Sequence, residues 1–136
     1  GAENVRSRVE LCDLTLFDQL EEGDILFVDS SHVIRPQGDV LYEVLEVFGR
    51  LKPGVLIHVH DMFTPRDYIA EWVLSDQRLW DEQYLIEAFL AHNREFKIVA
   101  ALNYLYHNHP QELLAACPIP GSGKNTEPRS FWMRRV

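Results

Sequence analysis

The chain has 136 residues, 46% hydrophobic and 25% charged, the balance of a single globular domain with room for a core that needs no staples. A net charge of −8 repels a phosphate backbone and argues against nucleic acid as a partner. No apolar run approaches the roughly 20 residues that span a bilayer, so no membrane partner is expected either.

Two cysteines, Cys12 and Cys117, are too few for a disulfide framework or a cysteine zinc site, which points to a reducing, cytoplasmic setting. No signal peptide opens the chain, and its start at Gly1 reads as that of a partial or processed chain. The first segments are weak: residues 9–11 suit a short strand, and residues 14–20 suit a turn or two of helix capped by Asp13. Gly23-Asp24 then leads into Ile25, Leu26, Phe27 and Val28, a continuous apolar run ending at Asp29. Such a run suits a strand covered on both faces, as in a parallel sheet.

Residues 39–51 have helical periodicity, with Val40, Val44, Val47 and Leu51 on one stripe and Leu41, Leu45 and Phe48 beside it. Glu43, Glu46 and Arg50 fall on the wet face, and Pro53-Gly54 ends the helix. A second buried strand, 55–59, runs into His60-Asp61. Strand, amphipathic helix and strand at this spacing predict a parallel, right-handed βαβ unit. Residues 64–93 read as mostly helical, 96–106 as a third strand, and a short helix opens at Pro110. Residues 117–129, with three prolines and two glycines, read as a loop, and 130–136 as the last strand.

Chemistry is expected at the carboxyl ends of the strands, where open parallel sheets hold their ligands. Asp29-Ser30-Ser31-His32 leaves the first strand and His60-Asp61 leaves the second. Strands that pair about 4.8 Å apart bring Asp29 near His60 and Asp61, a mixed oxygen and nitrogen set suited to a divalent metal. His32 hangs over the same rim as a candidate base. Each residue alone more often caps a loop or makes one hydrogen bond; their convergence favours a site. His107 and His109 beside Pro110 read as loop polarity. Gly121-Ser122-Gly123-Lys124 lacks the first glycine and the Ser or Thr of a phosphate loop and reads as a flexible loop. Trp72 and Trp80 read as core, and Arg66 and Asp67 as either a substrate mouth or a surface ion pair.

The segments GDILFVDSSHV, DVLYEVLEVFGRLKPGVLIHVHDMFTPRDY and SFWMRR resemble the second half of a class I S-adenosylmethionine-dependent methyltransferase. Within that group they are similar to the branch of metal-dependent sugar O-methyltransferases and cephalosporin-hydroxylase-like proteins. The resemblance runs from about Val9 to Val136 and implies an α/β fold: a partial Rossmann-like sheet, mostly parallel, with flanking helices. It implies one domain over 1–136, the C-terminal half of that fold, without the N-terminal half that holds the cofactor. By resemblance Asp29, His60 and Asp61 bind a magnesium-like ion and His32 is the general base. His60 stands where relatives usually carry a carboxylate, which opens the choice of metal to manganese, iron or zinc. No glycine-rich strand-to-helix turn precedes Asp24.

These features predict O-methylation of a sugar or other small hydroxylated acceptor in a parent enzyme using S-adenosylmethionine, the isolated chain being inactive. The rival expectation is a non-catalytic half-domain that self-associates or stabilises a partner through its sheet edge; a metal-assisted hydrolase is a third. Either way the exposed edge predicts a homo-oligomer.

Overall fold

The computed structural model describes residues 4–118 and 127–136. Two short 3₁₀ turns, Val9–Leu11 and Leu14–Gln19, precede the sheet. The first replaces the short strand expected there. The second is opened by Asp13, whose side chain accepts from the Thr15 amide at 2.9 Å, the capping expected of it.

Four strands form one sheet: β1 (Ile25–Val28), β2 (Leu56–His60), β3 (Phe96–Ala101) and β4 (Ser130–Arg135). Their order is β1-β2-β4-β3. β1 and β2 pair in parallel, as the βαβ reading requires, but β4 is antiparallel to both β2 and β3. The expected mostly parallel sheet is therefore corrected to a mixed one, with a single parallel ladder. Apolar patterning identifies a strand and its buried face, whereas direction depends on the path by which the chain returns.

That path also shortens β3. The strand expected over 96–106 ends at Ala101, and Leu102–Asn108 turns into a helix, α3. A second helix, α4 (Pro110–Ala116), starts at the proline. The segment 64–93 is less helical than its apolar content suggests. It contains one π-type turn, Glu71–Ser75, and one regular helix, α2 (Glu82–Leu90). Its aromatic residues instead build a small second cluster from Phe63, Tyr68 and Trp72, with Trp80 packed against it. The candidate phosphate-loop segment 121–124 lies outside the described residues.

The crossover between β1 and β2 is one continuous helical stretch in three forms. It begins as α1 (Asp39–Tyr42), widens into a π-type turn (Glu43–Val47) and tightens into a 3₁₀ turn (Phe48–Arg50). Val40, Val44, Val47, Phe48 and Leu51 are buried, as the stripe predicts. Val44, Val47, Phe48 and Leu51 pack on the sheet face made by Val28, Ile57, Val59, Phe131 and Met133, which is the main core. Each such side chain removed from water contributes about 1.5–3 kcal/mol before entropy is charged against it. Glu43 departs from its expected wet face and is 7% exposed. Glu43 lies three residues after Val40 and four before Val47, so helical spacing sets it at the margin of the buried stripe, and the wide turn closed by the Phe48 amide on the Glu43 carbonyl begins there.

The opposite sheet face is thinly covered. Phe27, His58 and Trp132 lie side by side across β1, β2 and β4, with ring centroids 4.7 and 4.5 Å apart. Ile25, Phe27, Ile98 and Val99 are each more than half exposed, which matters for assembly. Among the described residues no helix is long and apolar enough to cross a membrane.

Candidate metal centre

The parallel register of β1 and β2, from Ile25 opposite Leu56 to Val28 opposite Val59, brings Asp29 and His60 out side by side at the strand ends. Asp61 follows immediately. His60 Nδ1 lies 3.4 Å from Asp29 Oδ1 and 3.3 Å from Asp61 Oδ1. His32 returns over the same edge, with its Nε2 3.5 Å from Asp29 Oδ1 and 4.0 Å from Asp61 Oδ2. The structure thus brings all four predicted residues together.

The return of His32 is set by local bonds. Beyond β1, the Ser31 amide and hydroxyl donate to the Asp39 carboxylate at 2.8 and 2.7 Å, folding the loop back on the start of α1. His32 then takes a left-handed backbone, φ 60°, and Asp61 does the same at φ 54°. Such conformations cost a non-glycine residue on the order of 1–3 kcal/mol and survive only where surroundings over-determine them. At His32 the clamp is visible: its carbonyl accepts from the Asp81 and Glu82 amides at 3.0 and 3.3 Å. The Asp81 carboxylate in turn accepts from the Ile34 amide at 2.6 Å. At Asp61, the amide of the next residue, Met62, donates to the Arg129 carbonyl at 3.1 Å.

Glu82, the first residue of α2, completes the arrangement. Its Oε2 lies 2.7 Å from His32 Nδ1, and the two residues are only 1% and 5% exposed. The Trp80 ring packs on the imidazole with centroids 4.3 Å apart. Burial alone would push the His32 pKa down. The hydrogen bond and charge of Glu82, with Asp61 and Asp29 behind them, outweigh it and raise the imidazole above its ordinary range.

Three residues, Asp29, His32 and Asp61, offer ligand atoms that all lie within 4.8 Å of one another. Ligands about 2.1 Å from one ion stand roughly 3–3.5 Å apart, so small side-chain adjustments would close this set on a metal. Asp61 gives the test of fit: it is 8% exposed, yet its Oδ1 is buried without a hydrogen-bond partner. Arg129 Nη1 stands 3.3 Å from that oxygen as an ionic neighbour. With His60 Nδ1 also 3.3 Å away, that oxygen has ionic neighbours but no hydrogen bond, and it is the addition of Asp29 and His32 within ligand reach that makes the residues fit a cation. None of the protein-family models, curated proteins or solved structures compared matches this chain.

Glu43, Glu82, Trp80 and Arg129 were not legible as site residues. Glu82 is 50 positions from its histidine and looks like one acid among many on a helix start. Glu43 is buried beside Ser30 and Glu82, and burial pushes its carboxyl up to about 7. The secondary candidates stay apart from the cluster. His107 Nε2 lies 3.1 Å from Glu127 Oε2, and His109 Nδ1 lies 3.8 Å from Glu112 Oε1. Asp67 accepts from the Tyr84 hydroxyl and the Tyr68 amide rather than pairing with Arg66. Trp72 is core, 8% exposed, while Trp80 is split between that cluster and His32.

Proposed function

We propose that this chain is the acceptor-binding, metal-holding half of a class I S-adenosylmethionine-dependent methyltransferase acting on a hydroxyl of a sugar or other small metabolite. The observation that carries the reading is the Asp29–His32–His60–Asp61 cluster at the carboxyl end of the parallel β1–β2 pair, in which ligand atoms of Asp29, His32 and Asp61 lie within 4.8 Å of one another and Asp61 Oδ1 is buried without a hydrogen bond. Asp29 and Asp61 are the anionic ligands, joined by an imidazole. When bound, a divalent ion there supplies positive charge that makes a nearby acceptor hydroxyl more acidic. The chain's own residues then orient that hydroxyl, and the second imidazole takes its proton. Imidazole in the set favours manganese, iron or zinc over magnesium.

The residues described do not fit S-adenosylmethionine. No glycine-rich turn among them joins a strand to a helix, and the described residues ahead of β1 hold two 3₁₀ turns and no strand. The reading therefore covers the acceptor side alone. Cys12 and Cys117, both free thiols, suit a reducing cytoplasm.

The test has two stages. Asp61→Asn should weaken Mn²⁺ binding by at least about tenfold in a calorimetric titration, because it removes a direct anionic ligand. Methyl transfer from radiolabelled S-adenosylmethionine to a panel of sugars and catechols, by the product of the longest reading frame encoding this chain, then tests the reaction. Metal-independent turnover, or none with any acceptor, would count against it. The second reading, a self-associating half-domain without catalysis, is favoured by the exposed Ile25, Phe27, Ile98 and Val99.

A further inference from the structure

We infer that His32 is the imidazole ligand of the metal, held in place by Glu82, and that His60 is the imidazole left open to the acceptor. This exchanges the roles that the family resemblance implies for the two histidines, and it rests on the metal-centre reading above.

The two histidines lie at similar distances from Asp29 and Asp61 but differ in burial and in what holds the ring. The His32 side chain is 7% exposed and the His60 side chain 36%. His32 has its remote nitrogen engaged: Nδ1 meets the Glu82 carboxylate at 2.7 Å, which leaves Nε2 as the nitrogen that faces Asp29 and Asp61. Metal-bound histidines nearly always donate the other ring N–H to a carboxylate or carbonyl in this manner, which selects the tautomer and fixes the ring plane. Glu82 is suited to that task because it is 1% exposed and anchored at both ends. Its amide donates to the His32 carbonyl at 3.3 Å, and Ser30 Oγ stands 3.4 Å from its Oε1. The strained backbone of His32 has the same consequence, since it spends conformational energy on aiming one side chain into the cleft.

His60 Nδ1 is also buried between Asp29 and Asp61, at 3.4 and 3.3 Å, but no hydrogen bond fixes its ring as Glu82 fixes that of His32. The His60 ring leans on Phe27 and His58 at centroid distances of 6.2 and 6.1 Å, on the thinly covered side of the sheet. The side chain is 36% exposed with Nδ1 buried, so a hydroxyl approaching from that side meets the ring at Nε2. There the O–H bond breaks, the proton passes to an unprotonated ring nitrogen, and the electron pair stays on the oxygen.

The probe is the metal alone. Co²⁺ titrations followed by visible absorption should show affinity reduced at least about 100-fold in His32→Ala and about 10–100-fold in Glu82→Leu, with His60→Ala within about threefold of wild type. Glu82→Gln, whose amide oxygen still accepts from Nδ1, should recover part of the Glu82→Leu loss. A second readout needs no substitution and so survives any folding defect. In ¹⁵N spectra of the wild-type protein, Zn²⁺ should shift His32 Nε2 into the metal-bound range while Nδ1 keeps its proton. Loss of binding in His60→Ala with His32→Ala unaffected, or a metal-bound His60 nitrogen with His32 unchanged, would overturn the exchange and leave the metal centre standing. Binding that is unchanged in Asp61→Asn and both histidine variants would instead remove the metal centre itself.

Discussion

Glu43 shows how a single residue can reverse its expected environment. Its charge suggests the wet face, yet it stands at the margin of the Val40–Val47 stripe and is buried next to Ser30 and Glu82. Burial raises its carboxyl from 4.5 to about 7, so the folded state prefers the protonated form. Its stabilising contribution is therefore complete below about pH 4.5 and is lost as pH rises through 7. Glu43→Gln should remove that loss, leaving the variant up to about 3 kcal/mol more stable than wild type at pH 8 and near parity at pH 4.5. Urea denaturation at the two pH values measures it, and equal differences at both would contradict the buried-acid account. His58 acts in the opposite direction. Burial between Phe27 and Trp132, with His60 nearby, lowers its pKa, so it stabilises the fold when neutral and that contribution fades as pH falls below 6.5. His58→Phe should flatten the acid side of the stability profile.

At the scale of elements, the turns into the strands are unequal partners. Gly23 and Gly54 both adopt left-handed φ, 88° and 89°, and the Gly23 amide donates to the Gly54 carbonyl at 3.2 Å. A Cβ on Gly23 meets nothing within 4 Å, whereas one on Gly54 would stand 2.8 Å from Glu22 Cβ and 3.1 Å from its Cα. Gly23→Ala should cost about 1 kcal/mol from backbone strain alone, and Gly54→Ala clearly more, about 2–3 kcal/mol. Thermal or urea melts of the two variants decide this, and equal losses would contradict it. The positions of β1, β2, the crossover helix and β4 follow the apolar pattern, but β1, expected to be covered on both faces, is covered on one, with Ile25 and Phe27 51% and 57% exposed. The elements that the pattern missed are set by non-local contacts. Residues 64–81 are held by the Phe63–Tyr68–Trp72 cluster and by Gln83, which bonds the Phe63 amide and the Arg66 carbonyl. Residues 102–106 are apolar enough for a strand, yet Asn103 is buried and donates to Glu127 and the Pro128 carbonyl from within a helix.

For the whole molecule, the assembly prediction rests on the exposed apolar residues of the sheet edges. Ile25 and Phe27 on β1 are 51% and 57% exposed, and Ile98 and Val99 on β3, at the opposite edge, are 57% and 54% exposed. An apolar strand edge in this state tends to pair with another. Light scattering at high concentration should therefore report a dimer or larger species, and Ile25→Lys with Phe27→Lys should shift it to monomer. A wild-type monomer under those conditions would end the proposal. Assembly bears on the methyl donor as well: with no glycine-rich turn to cradle it, S-adenosylmethionine should produce no calorimetric signal at micromolar protein. Micromolar binding would mean that residues of a second copy complete a donor site.

The sequence by itself determined where acids and histidines leave the strands, because apolar runs ending at Asp29 and at His60-Asp61 admit one parallel register and so one shared edge. It also determined the stripe of the crossover helix, because burial on a helix repeats with the turn. Only the tertiary structure decided that β4 lies antiparallel between β2 and β3, since strand direction follows from the route of the chain rather than from its pattern. The partner of His32 belongs to the same class of fact. Glu82 reaches it through the packing of α2 against the loop after β1, and a hydrogen bond across 50 residues has no periodicity by which to announce itself.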